Sequence, residues 1–153
     1  MNNVWVCISM NNKIFSDKRK TTKKILLDTS FILLSFQLNL DFINELKATL
    51  GNVEICIYDK VLEEIKRISS ERSQRGVIAK ITYYYIQNLI NNKKIKYICK
   101  ENEETTVDVL LLKEAIENDA FIATVDMRLR RKAKKENIRT IYIRKTKKRI
   151  EID

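Results

Sequence analysis

Asp126 ends the short apolar run Phe121-Ile122-Ala123-Thr124-Val125 and is followed at once by Arg128, Leu129, Arg130, Arg131 and Lys132, so a carboxylate meets the start of a cationic helix. Asp28 stands in the same relation to Ile25-Leu26-Leu27, with Thr29 and Ser30 after it. Each alone is readily explained as a helix cap, because Asp, Ser and Thr side chains satisfy the free N–H groups of a first turn. Two further acids resist a bland explanation to different degrees. At about 100° per residue, Val107, Val109, Leu111, Leu112, Ala115 and Ile116 form an apolar face, and Asp108 projects into its middle. A charge there is costly unless paired or bound to a metal, although a first-turn acid also profits from the helix dipole. The same angles put Glu64 on the inward margin of the stripe Val61, Leu62, Ile65 and Ile68, and Glu63 on the solvated side. A surface pair with Arg67 explains Glu64 equally well. Carboxylates crowded together repel one another and raise each other's pKa unless a divalent cation neutralises them. Hard oxygen ligands of this kind suit Mg²⁺ or Mn²⁺.

Whether these acids meet depends on the elements that carry them. From Ile25 onward, apolar runs (Ile25 to Leu27, Val53 to Tyr58, Ile95 to Cys99, Phe121 to Val125, Thr140 to Ile143) alternate with helical patterns. The helical patterns cover Leu38 to Leu50, Val61 to Ser70, Gly76 to Asn91, about Thr105 to Asn118, and Arg128 to Glu136. Strands spaced by helices form βαβ units and a mainly parallel sheet. Their near-continuous apolar character calls for cover on both faces, so the expected fold is α/β, a three-layer α/β/α sandwich. With right-handed crossovers, each helix starts at the carboxyl edge of the strand before it. That rim gathers Asp28, Asp126 and the helix starts carrying Asp108 and Glu64, and it is where open α/β sheets bind ligands.

A chain of 153 residues is sized for one domain. We place it at residues 24–153, with residues 1–23 as an N-terminal extension that either adds an edge strand from Val4 to Met10 or is disordered. The extension lacks the cleavage site of a signal peptide, and no apolar run approaches the roughly 18 residues of a membrane span. With no histidine, a Ser-His-Asp triad and His-ligated zinc are excluded. With glycine only at 51 and 76, neither glycine-rich nucleotide loop can form. Cys7, Cys56 and Cys99 are widely spaced and odd in number, so reduced thiols in a cytoplasmic protein are expected. The net charge is +10, and between Arg128 and Arg149 Glu136 is the only acid among twelve basic residues. Such polarity favours a polyanionic partner. Tyr83-Tyr84-Tyr85 points several ways on a helix and is read as packing rather than a base-stacking platform.

The acidic positions are also where the chain resembles the PIN-domain family of metal-dependent ribonucleases, over about Lys24 to Arg144. Ile25-Leu26-Leu27-Asp28-Thr29-Ser30 resembles the family's opening strand, and Val61-Leu62-Glu63-Glu64-Ile65 its second acidic motif. Asp108 with Ala115 seven residues later resembles the third, and Ala123-Thr124-Val125-Asp126 before Arg128-Leu129-Arg130 the fourth and most specific. The resemblance implies that Asp28, Glu64, Asp108 and Asp126 are the catalytic metal ligands, supported by the hydroxyls of Ser30 and Thr124, and that the Asp28 strand lies near the sheet centre. Ser30 stands where many relatives have asparagine. Val109 stands where many close relatives have a second acid, which would weaken a second metal site.

The implied activity is Mg²⁺- or Mn²⁺-dependent hydrolysis of RNA, needing no histidine base. The basic stretch, with Arg128, Arg130, Arg131, Lys132, Arg144 and Lys145 and with help from Lys18 to Lys24, would follow the phosphate backbone. Processing of ribosomal or other structured RNA is favoured by that stretch. A toxin of a toxin-antitoxin pair and a non-catalytic RNA-binding or assembly protein stay open, as do a homo-oligomer and a partner such as an antitoxin or ribosome-assembly factor.

Overall fold

Consecutive strand residues point to opposite faces, so burial of Ile25, Leu26 and Leu27 together, and of Ile55 through Tyr58, requires cover on both sides of the sheet. The computed structural model, which describes residues 22–100 and 104–153, supplies that cover. Its elements are β1 (Lys23–Leu27), α1 (Thr29–Gln37), α2 (Phe42–Leu50), β2 (Val53–Tyr58), α3 (Asp59–Ser69), α4 (Gln74–Asn91), β3 (Lys96–Ile98), α5 (Val107–Asn118), β4 (Phe121–Ala123), α6 (Met127–Lys135), β5 (Thr140–Arg144) and β6 (Arg149–Ile152). The six strands form one sheet in the order β3-β2-β1-β4-β5-β6, with β1 at its centre. Only the β5–β6 pair is antiparallel. This is the expected α/β sandwich with a mainly parallel sheet.

Register does most of the positioning. Leu27 of β1 pairs with Ala123 of β4, so Asp28 and Thr124, each one residue further on, leave the sheet side by side at its carboxyl edge. The Asp28 N–H still donates to the Ala123 carbonyl at 2.9 Å, and the Thr124 N–H to the Ile141 carbonyl at 2.9 Å. Both residues are therefore fixed by sheet hydrogen bonds although they lie past the strands.

Several elements depart from the expected pattern. Helix α1 carries no clear 3.6-residue period because Thr29, Phe31, Ile32, Leu34 and Ser35 are all buried, and a helix buried all round hides its amphipathic signature. The basic C-terminal part is divided among α6, β5 and the antiparallel strand β6, which was not expected. On α5 the buried residues are Leu110, Leu111, Glu114 and Ala115, while Val109 and Ile116 are exposed. The buried face is thus rotated from the expected one, and Asp108 stands at its margin rather than its middle. Glu114, not foreseen as an inward acid, accepts from the Tyr58 hydroxyl at 2.9 Å and lies 2.9 Å from the Lys100 ammonium. Tyr83 lies against the core, while Tyr84 and Tyr85 are exposed and pack their rings on Tyr83 and Phe36 respectively. Cys56 is a free, buried thiol. No helix among the described residues is long and apolar enough to cross a membrane. The edge strand expected from Val4 to Met10, and the basic residues Lys18 and Lys20, lie outside the described residues.

Candidate active site

Asp28 occupies the N-cap position of α1, yet its side chain makes no capping bond. Its Oδ2 instead accepts from the Ser30 and Thr124 hydroxyls, both at 2.7 Å. Each hydroxyl in turn accepts a backbone N–H from the β4–α6 connection: Val125 donates to Ser30 and Asp126 to Thr124, both at 3.1 Å. A hydroxyl has one proton to give, so both protons are directed at Asp28, and the 3.2 Å approach of the two hydroxyls is proximity rather than a bond. The result fixes one carboxylate oxygen from two sides and ties the orientation of Asp28 to the backbone that presents Asp126.

Asp126 combines the two roles open to it. Its Oδ1 caps α6 by accepting the Arg128 N–H at 2.8 Å, which leaves Oδ2 for another partner. Asp108 is not the cap of α5, because Thr106 fills that position and accepts the Val109 N–H. Burial lifts the Asp108 carboxyl above the ordinary range, the negative charges of Asp28 and Asp126 push it further, and Lys132 partly offsets them. A cation bound nearby would relieve this pressure on Asp108. Glu64 makes no ion pair with Arg67; its Oε2 accepts from the Thr29 hydroxyl at 3.0 Å, which brings α3 against the start of α1. Glu63 is exposed, as the helical angles required.

These side chains line one cleft of about 870 Å³ at the carboxyl rim. Asp28, Ser30, Glu64, Asp108 and Asp126 face it, as do Glu63, Thr29 and four cations, Lys60, Arg67, Arg75 and Lys132. Lys132 is the member of the basic set on α6 and β5 that borders the cleft. Arg128 and Arg131 are exposed elsewhere on α6, and Lys145 is exposed beyond β5. Arg130 is engaged in the fold, 2.7 Å from Asp153 and with its guanidinium 3.8 Å above the Tyr142 ring. Arg144 pairs with Glu151 at 3.3 Å. Sequence reasoning missed Arg67 and Arg75 as cleft residues: Arg67 was assigned only as a partner for Glu64, and Arg75 precedes the helix expected from Gly76.

Among the described residues no three Asp, Glu or Cys side chains are drawn close enough to enclose an ion. A hydrated cation such as Mg²⁺ usually takes one or two carboxylates directly and keeps several waters. Oxygen donors, with no histidine in the chain, suit hard ions over zinc.

A mainly parallel sheet with carboxylates at its carboxyl rim defines the class, an α/β domain with an acidic cleft. The family described as PIN like domain matches residues 25–146, and the chain belongs to it. Nucleases of this family generally use divalent metals. Among solved structures, the PIN domain endonuclease Utp24 superposes with a TM-score of 0.67 at 18% identity, over 85% of this chain and 90% of that one. A domain of a functionally unknown protein from Methanocaldococcus jannaschii DSM 2661 superposes with a TM-score of 0.59 at 18% identity, over 80% of this chain and 92% of that one. At this identity the likeness concerns the fold. No curated protein matches the sequence.

Proposed function

We propose that the protein is a metal-dependent endoribonuclease whose Asp28, Glu64, Asp108 and Asp126 hold Mg²⁺ or Mn²⁺ at the cleft floor. The observation that carries this reading is the convergence of Asp28, Glu64, Asp108 and Asp126 on one cleft that also carries cations suited to phosphate. A bound divalent ion supplies Lewis acidity and charge neutralisation at the attacked phosphate. Ser30 and Thr124 orient Asp28, the Arg128 N–H orients Asp126, and Lys132 attracts the RNA backbone. We assign the substrate to ribosomal or other structured RNA because the basic residues on α6 and after β5 extend beyond the cleft itself. The likeness to the PIN domain endonuclease Utp24 supports the reaction class.

The test is cleavage of labelled structured RNA by the wild type with Mg²⁺ or Mn²⁺, compared with Asp126→Asn and Asp28→Asn. Metal-dependent cleavage lost in both variants is expected. Cleavage that survives both substitutions sinks the assignment. The exposed basic residues Arg128, Arg131 and Lys145 are equally compatible with a second reading, a non-catalytic RNA-binding protein. RNA binding by the wild type without cleavage in either metal would establish it.

A further inference from the structure

Arg67 and Arg75 approach the acidic cleft from a different side of the fold than α6, and neither serves the carboxylates beside it. Arg67 lies in the last turn of α3, three residues after Glu64, yet Glu64 bonds Thr29 instead. Arg75 is in the first turn of α4, which contains no acid. A cation there adds to the positive end of the helix dipole rather than cancelling it. Both arginines are exposed and border the cleft, with no ion pair to either Glu63 or Glu64. Their proximity is built into the backbone. A Cβ added at Gly76 would stand 2.0 Å from the Glu71 carbonyl oxygen and 3.3 Å from that of Ile68. Only glycine lets the start of α4 sit this close to the end of α3, and Ser73, which caps α4 by accepting the Gly76 N–H at 3.1 Å, holds it there.

Two uncompensated guanidiniums beside carboxylates suit a ligand that brings its own negative charge, and their planar donor forks match phosphate oxygens. Lys132 borders the same cleft from α6. We propose that Arg67 and Arg75 form a second phosphate seat, so that a single RNA strand crosses the cleft from α6 to the α3–α4 junction and is gripped on both sides of the acids. This rests on the nuclease reading for the location of the cut but not for the binding itself. A strand held at both ends is fixed over the reacting atoms, which is the geometric requirement for cleavage within a chain rather than from its end.

The experiment measures binding of a labelled single-stranded RNA oligonucleotide to the full chain across a salt series. It compares wild type, Arg67→Ala/Arg75→Ala and Arg67→Lys/Arg75→Lys, each also carrying Asp126→Asn so that no cutting occurs. Loss of two phosphate contacts should weaken binding about tenfold or more and make the slope of log K against log salt shallower by about 1.4. The lysine pair should restore most of both. An alanine pair with unchanged affinity and slope overturns the seat, as does failure of the parent protein to bind RNA. With Asp126 intact, cleavage by the wild type and an unaltered alanine-pair salt slope would refute the seat while the nuclease reading stands. Binding that depends on the two arginines without any cleavage would refute the nuclease reading while the seat stands.

Discussion

Thr124→Val is the sharpest probe of how this fold builds its site. Valine keeps the shape of a side chain that is fully buried, so packing is preserved and only the hydroxyl is lost. Two bonds go with it: the 2.7 Å bond to Asp28 and the 3.1 Å bond from the Asp126 N–H. The first involves a carboxylate and the second leaves a backbone donor without its acceptor, each worth roughly 1–3 kcal/mol. Partial replacement by water and by Ser30 brings the expected total to about 2–4 kcal/mol, which for a domain of this size lowers Tm by about 5–15 °C. Thr124→Ser keeps both bonds and should lose only about 1 kcal/mol for the missing methyl. Ser30→Ala falls between them, because Ser30 is only half-buried and water can take its place. Thermal unfolding monitored by circular dichroism gives the ranking. If Asp28 ligates the metal as proposed, cleavage should fall about 10- to 100-fold in Thr124→Val, the usual cost of releasing a ligand from its support. If Thr124→Val is no less stable than Thr124→Ser, the hydroxyl relay does not hold Asp28 and the reasoning about the site's construction is wrong.

Asp108→Asn tests the electrostatic pressure directly. Because the folded-state pKa of Asp108 is raised, its favourable contribution is complete below the unfolded value and is lost as pH rises through the folded one. At neutral pH and without metal the charged group therefore opposes folding, an effect that solvent screening keeps small at this partly exposed site. The variant should be slightly more stable than wild type in chelator at pH 7, with the gap closing as acid protonates Asp108, and should respond less to added Mn²⁺; a destabilised variant in chelator would show that Asp108 serves α5 structurally. Burial and the neighbouring Glu54 charge push the Cys56 thiol up to about 12, so iodoacetamide at pH 8 should modify it only after unfolding, as read by mass spectrometry. Arg130→Ala should cost about 1–2 kcal/mol in denaturant unfolding through the lost Tyr142 stacking and Asp153 pair, with the RNA salt slope unchanged; a shallower slope at unaltered stability would assign Arg130 to RNA instead.

How much of this was readable in advance follows from the range of the interactions. The parallel sheet and the gathering of Asp28, Asp108, Asp126 and Glu64 at one rim follow from strand and helix order, which alternating apolar runs display locally. Asp28, Ser30 and Thr124 are adjacent because Leu27 pairs with Ala123, a register between segments far apart in sequence that no local pattern encodes. The orientation of α5 was misjudged for a related reason. Val109 and Ile116 look like core by residue type, but the buried face follows Glu114, whose charge is accommodated by Tyr58 and Lys100 from other elements. An angular argument that counts apolar side chains cannot see a buried acid with distant partners.

The same limit explains why the basic C-terminal stretch looked like one binding surface and is not. Residue type gives Arg128, Arg130 and Arg144 equal standing, yet Arg130 closes α6 onto the β5–β6 hairpin and Arg144 shares Glu151 with Arg149 across it. Fold stability and phosphate attraction draw on the same side chain, and a guanidinium stacked on Tyr142 and paired with Asp153 has little left to offer a phosphate. Arg67 and Arg75 show the converse. In sequence they lie in α3 and just before an expected helix, with nothing to distinguish them from solvated surface, but the close approach at Gly76 leaves them beside a carboxylate cleft without acidic partners. What separates a structural cation from a binding one is therefore the partner it has or lacks in three dimensions, and the search for the RNA path belongs at the α3–α4 junction as much as on α6.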